Sequence, residues 1–331
     1  MSKEVEEARL KKYFTEDGTP LELVMSRGKG LYTDDGTPRE IAEVEPNRVR
    51  EVTKSYTKEE VSEIVSNVLV TEDGGLISKR KPFTDRLVGK TFKFLFDKGP
   101  EKPVELEYTF IEKHKLLWSG QGAENRPAYY EALDADDTVV MVHHMRRDKD
   151  PIECLTLFID TESYLVTCAY NVIGNEYEAR EVSRVFWFGA AQKPDGSYPS
   201  RRQGYSDYLV GKTIRWEYFR DEPNMNHVYL SNCMSAACVL LPKAARGMGG
   251  TFPSRYVGLK DTLQIYSWVE ERAAGIHGMI AVDLREADNG GRVTDVGCFF
   301  GFNVRDTLEY FTYGGPGKFA PMGVINEKYS E

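Results

Sequence analysis

The sequence predicts an all-β protein built as two antiparallel β-barrels from an internal duplication, preceded by a partly helical N-terminal extension. Three observations predict it. Asp85-Arg-Leu-Val-Gly-Lys-Thr91 recurs as Asp207-Tyr-Leu-Val-Gly-Lys-Thr213, six of seven positions being identical. After each copy come short runs of alternating apolar and polar residues separated by turn residues, with no long helical stretch beyond residue 70. Between the copies lies Gln192-Lys-Pro-Asp-Gly-Ser-Tyr-Pro-Ser-Arg-Arg-Gln-Gly204, whose Pro, Gly and Ser mark a boundary. Two copies are too few for a solenoid and suit a duplicated domain.

Residues 1–80 are charged and poor in aromatics, with matching turns at Asp17-Gly18-Thr19-Pro20 and Asp35-Gly36-Thr37-Pro38. Thr57-Lys-Glu-Glu60 has the form of a capping box, and Val61, Ile64, Val65 and Val68 follow at helical spacing, predicting a helix over 57–68. With too little apolar content for its own core, this region reads as a strap on the later domains. The first barrel is expected over 82–192, the second over 204–318, and a tail over 319–331. Phe92–Phe96 and Ile214–Tyr218 are matching strands. Tyr130–Met145 parallels Tyr256–Val269 with a two-residue gap, and Asp160 and Asp283 end matching strands. Tyr313-Gly-Gly-Pro-Gly317 has no Lys-Ser/Thr and no following helix to cradle a phosphate, and reads as a loop leading into the tail.

Composition narrows the function classes. The 331 residues carry 43 Lys plus Arg against 52 Asp plus Glu, a net charge of −9 that disfavours nucleic acid and anionic membranes as partners. No run is long and apolar enough for a membrane helix, and the first ten residues have no apolar signal region, so a cytoplasmic protein is expected. The five cysteines form no zinc-type spacing. Cys233 and Cys238 are expected to be buried free thiols. No metal or other cofactor is expected, because zinc, dinucleotide and serine-hydrolase signatures are all missing. Homo-oligomerisation stays open.

The candidate site begins on the strand Asp261–Glu270. With side-chain period two, Gln264, Tyr266, Trp268 and Glu270 share one face. That face is a ligand wall if it turns into a barrel, and a wet surface with a solvated Glu270 if it does not. Ile214, Trp216 and Tyr218 stand where the first copy has Phe92, Phe94 and Phe96, so the second interior is the more polar. In place of the four wall residues the first copy offers Val140, Val142, His144 and Arg146, with no acid. His143 and His144 are adjacent on a strand and point to opposite faces, so they cannot chelate one ion together. His144 and Arg146 form an anion-binding pair if their face turns inward and a surface pair if it turns outward. His114 and His277 have no assignable role beyond packing or exposure.

The Leu-Val-Gly-Lys-Thr openings, the segment Trp118-Ser-Gly-Gln-Gly-Ala-Glu-Asn-Arg-Pro127 and the duplication resemble the MoaF family, which takes its name from molybdenum-cofactor gene clusters. The resemblance covers residues 80–320 and implies that both barrels are lipocalin-like. More distantly, the second copy is similar to the phenolic acid decarboxylases, which are single lipocalin-like barrels. Gly211-Lys212, Trp216-Glu217-Tyr218, Ser254-Arg255-Tyr256 and Ser267-Trp268-Val269-Glu270 stand in the order of that family's motifs, though Trp216 replaces a tyrosine and the Arg255 to Glu270 spacing is shorter. That resemblance implies Tyr218, Arg255 and Glu270 as catalytic residues, with Trp216, Gln264, Tyr266 and Trp268 lining the pocket.

Two functions follow as expectations. One is a cofactor-independent lyase or isomerase acting on a small aromatic or phenolic acid in the second barrel, with Glu270 moving the proton and Arg255 holding the developing oxyanion. The other is a binding or accessory protein for a small aromatic molecule, with the MoaF resemblance pointing toward molybdenum-cofactor biosynthesis. The discriminating feature is whether Arg255 and Glu270 face a pocket or solvent.

Overall fold

A computed structural model describes residues 75–146, 149–174, 179–218, 225–239, 249–270, 275–302 and 308–320. The predicted helix at 57–68, the strap reading of the N-terminal region up to residue 74 and the end of the tail lie outside these residues.

Eight strands close the first barrel: β1 (Thr91–Lys98), β2 (Val104–Glu112), β3 (Lys115–Gly120), β4 (Ala123–Asp134), β5 (Val139–Arg146), β6 (Glu153–Asp160), β7 (Leu165–Ile173) and β8 (Val182–Ala191). Each pairs antiparallel with its neighbour, and β1 pairs with β8 to close the ring. A short β9 (Gly204–Tyr205) ends the linker. Then follow β10 (Thr213–Trp216), β11 (Met225–Ser231), β12 (Met234–Val239), β13 (Gly249–Lys260), β14 (Leu263–Glu270), β15 (Ile276–Asp283), β16 (Arg292–Phe302), β17 (Leu308–Tyr313) and β18 (Pro316–Ala320). Pairing of β12 with β13 and of β10 with β18 closes a second eight-stranded ring. Closure removes the sheet edges that would otherwise need protection.

The repeated heptapeptide has one job in both copies. Its glycine has φ of 78° at Gly89 and 80° at Gly211, a left-handed conformation that a side chain would strain. That bend lets Gly89 N–H reach Phe110 O, and Gly211 N–H reach Tyr229 O, at 2.7 and 2.8 Å. It also drives Leu87 and Leu209 into the cores, each only 1% exposed. Asp160 and Asp283 end the matching strands β6 and β15.

Three expectations need correction. Register pairs Tyr130 with His144 and Ser254 with Trp268, so Tyr130 corresponds to Ser254 rather than to Tyr256, and no two-residue gap is needed. Tyr313-Gly-Gly-Pro-Gly317 does not lead into a tail. It bends one barrel wall between β17 and β18, where a Cβ on Gly314 would lie 2.5 Å from Asp295 O. The strand it introduces runs to Ala320, past the expected end of the barrel. Cys233 and Cys238 are thiols outside any disulfide, but exposed rather than buried.

The barrels pack side by side through the outer faces of β4–β8 and β13–β16, where Met141, Phe158, Phe186 and Phe188 meet Val257, Ile265, Met279 and Val296. Burial on both faces explains why β5 and β15 are apolar almost without alternation, and why β14 carries Leu263, Ile265 and Val269 on its outer side. Many polar groups at this contact are paired, although Arg184 Nε and Asn171 Oδ1 are buried without a partner. Thr312 donates its N–H and hydroxyl to Glu131 Oε2, Gln203 bridges Thr167 and Leu259 O, and His277 meets Ser267, which accepts from Arg184. Among the described residues no helix is long and apolar enough to cross a membrane.

Candidate functional site

Alternation along β5 turns His144 and Arg146 into the first barrel and His143 out of it. His143 stacks on Tyr310 at 4.3 Å and bonds Thr156, serving the contact between barrels. His144 and Arg146 are 0% and 1% exposed. Arg146 is the only lysine or arginine buried inside a barrel among the described residues, Arg184 being largely buried instead at the contact between the barrels. It sits toward the end of the barrel where the β3–β4, β5–β6 and β7–β8 connections meet, opposite the end that Leu87 plugs.

Its surroundings order one half of the guanidinium and leave the other. Nη1 donates to Gln121 Oε1 at 2.6 Å and to Glu153 Oε2 at 3.1 Å. The guanidinium carbon lies 3.8 Å from the centre of the Trp118 ring, a cation–π contact. Glu153 is held in turn by the Tyr170 hydroxyl at 2.9 Å, and Tyr170 stacks on Trp187 at 4.3 Å. Nε and Nη2 are buried without a partner at good hydrogen-bond geometry, and the guanidinium lies close to the Tyr108 hydroxyl. Together they form the two-pronged edge that grips a carboxylate bidentately.

His144 adds a third group to the same place. Its Nδ1 meets the Tyr108 hydroxyl at 2.9 Å, while Nε2 is buried without a partner. Burial first, and the nearby Arg146 charge second, hold the imidazole down to about 3, so it is neutral. With the Tyr108 hydroxyl donating to Nδ1, Nε2 carries the ring hydrogen and becomes a donor. His144 and Arg146 therefore face the barrel interior and not the surface.

The second interior is aromatic. Trp216, Tyr218, Tyr266 and Trp268 all face inward and are buried, and Gln264 is buried with its amide donating to Lys260 O at 2.7 Å. Tyr266 bonds Ser235 at 2.6 Å, Ser235 bonds Ser254, and Ser254 donates to Phe252 O. That last bond orients the chain of hydroxyls, so the Tyr266 hydrogen is spent on Ser235. Tyr218 donates to Asp295 Oδ2 at 2.6 Å, and Gly315 N–H donates to Oδ1 at 2.8 Å. Burial raises Asp295 to about 7 despite those two bonds.

Glu270 ends β14 half-buried on the inward side, and its charge contributes to raising the Tyr266 and Tyr313 phenols. Arg255 does not face it. Ser254 and Tyr256 point inward, so alternation sends Arg255 to the outer face, where it is exposed and bonds Ser254 O. There it lines a surface cleft of about 470 Å3 with Tyr205, Asp207, Asn232 and Cys233. Tyr218, Arg255 and Glu270 are thus not brought to one pocket as the decarboxylase resemblance implies.

Several residues escaped sequence reasoning. Glu153, Tyr170, Tyr108 and Gln121 complete the Arg146 surroundings, and His227, Tyr229 and Asp295 belong to the second interior. His227 and Tyr229 alternate within β11 as Tyr108 and Phe110 do within β2, a signal the repeat already carried. Among the described residues no cluster of three or more His, Cys, Asp or Glu could hold a metal ion.

Residues 74–175 match the family model of the MoaF N-terminal domain, a span that takes in β1 to β7 and both His144 and Arg146. No curated protein matches the chain.

Proposed function

We propose that this protein binds a small aromatic molecule through a carboxylate, or a similarly planar anion, set against Arg146 and His144 inside the first barrel. The observation that carries this reading is the side-on edge of Arg146, a fully buried guanidinium whose Nε and Nη2 have no partner at good hydrogen-bond geometry. Leaving buried polar groups unpaired costs about 1–3 kcal/mol each, and more when the group is charged. A ligand oxygen on each prong removes that cost. Trp118 already holds the guanidinium from one side, and the Tyr170–Trp187 stack offers a flat surface for a ring.

Binding is favoured over acid–base turnover in the second barrel because Arg255 lies on the outer face, away from Glu270. Tryptophan fluorescence titrated with 2-naphthoate and with uncharged 2-naphthamide tests the reading. The carboxylate should bind about tenfold or more tightly than the amide, the margin expected for a charged hydrogen bond. Equal binding of the two counts against it.

A further inference from the structure

The second barrel departs from its sister copy at three neighbouring inward positions. Register equates Trp216 with Phe94, His227 with Tyr108 and Tyr229 with Phe110. Each change brings a polar atom that the second barrel buries without a partner at good hydrogen-bond geometry: Trp216 Nε1, which faces the Tyr229 hydroxyl, His227 Nδ1, and that hydroxyl itself. All three side chains are at most 2% exposed. They sit on adjacent strands, with the Trp216 and His227 rings 6.5 Å apart and His227 and Tyr229 6.4 Å apart. Native interiors pair nearly all such atoms, so three orphans on one wall mark a place built for something else.

The same barrel draws its large rings back against its wall. Trp216 lies beside Gly317, Trp268 beside Gly278 and Tyr313 beside Gly297, where an added Cβ would come within 2.5, 2.3 and 3.0 Å of the ring. At the matching stations the first barrel has Ala191, Leu155 and Cys168. Glycine lets each ring recline on the neighbouring strand instead of crossing the lumen.

We infer that the second barrel is a separate site for an uncharged planar ring that bears a carbonyl. The Trp216 indole can only donate, so the ligand must present an acceptor to it. The neutral His227 and the Tyr229 hydroxyl can each donate or accept, which suits a lactam edge. An anion is disfavoured, since no lysine or arginine is buried in this interior while Asp295 and Glu270 both face it. Tyr266 and Trp268, stacked on each other to within 14°, pack edge-on against His227 at 5.2 and 5.3 Å and give the site an aromatic wall.

The test uses the full chain with 2-quinolinone, an uncharged bicyclic lactam. The first barrel shows that phenylalanine fits both positions, so Trp216→Phe and Tyr229→Phe should fold. Each should weaken 2-quinolinone roughly tenfold, the loss of one buried hydrogen bond, while Arg146→Gln leaves it unchanged. Without ligand, Tyr229→Phe should melt at or above the parent temperature, because it deletes only the hydroxyl, whereas Trp216→Phe also opens a void beside Gly317 and is read by affinity alone. The inference is overturned if the parent does not bind 2-quinolinone, if Trp216→Phe binds it equally well, or if Arg146→Gln weakens it in step with 2-naphthoate. A lowered melting temperature for Tyr229→Phe also overturns it, since that hydroxyl would then have had a partner.

Discussion

Arg146 and Glu270 occupy the same station in two copies of one barrel, each ending the fifth strand of its ring on the inward side. The duplication therefore placed opposite charges at equivalent points, a cation in an apolar interior and an acid in one rich in phenols. Divergence of the two interiors, on a conserved frame of plugs and turns, is what separates the two proposed ligand chemistries.

Stability should fall on the acid side well before the carboxylates titrate. Burial holds His143, His144 and His227 down to about 3 and His277 well below its ordinary value, so the folded protein binds these protons poorly. The unfolded chain binds them below about pH 6.5, so their contribution is present above that pH and is lost as pH falls. Each contributes up to about 1.4 kcal/mol per pH unit. Urea midpoints should drop steadily from pH 7 to pH 5, whereas a flat profile would mean these imidazoles are protonated in the fold.

Asp295 works in the opposite direction. Its pKa is raised to about 7, so the folded state holds a proton that the unfolded chain releases above about 3.8, and stability is lost as pH rises through that window. Asp295→Asn removes this opposing slope. The variant's urea midpoint should therefore rise more steeply between pH 4 and 7 than the parent's, by up to about 1.4 kcal/mol per pH unit.

Gly278→Ala should destabilise by about 1–3 kcal/mol, since its Cβ would lie 2.3 Å from the Trp268 ring and the barrel wall gives little room for retreat. Denaturant unfolding measures the cost, and the Trp268 emission should shift with it.

Arg255→Ala should change stability by no more than about 0.5 kcal/mol, the usual range for an exposed side chain whose hydrogen bond goes to backbone. Loss of several kcal/mol would place Arg255 in a buried role that its outer-face position denies.

Much of the architecture was legible in the residues. The repeated heptapeptide encodes a turn, a glycine bend and a leucine plug that the fold uses twice, and alternation along 261–270 correctly grouped Gln264, Tyr266, Trp268 and Glu270. Arg255 was less legible because assigning it to the pocket followed a motif order, while alternation from Tyr256, read along β13, sends it outward. The Arg146 surroundings were half legible: alternation put His144 and Arg146 together, but Glu153, Tyr170 and Gln121 come from three other segments, and only closure of the ring unites them. The face of β14 opposite Glu270 is buried against the other barrel, a contact that alternation along one strand does not report.

The most direct measurement is calorimetric titration of 2-naphthoate into the parent and Arg146→Gln at neutral pH. Glutamine keeps a polar side chain near Glu153 and Gln121 but removes the two-pronged edge and the charge, so affinity should fall by roughly tenfold to a hundredfold while the melting curve shows a folded protein. Unchanged affinity in a folded Arg146→Gln variant would contradict the account.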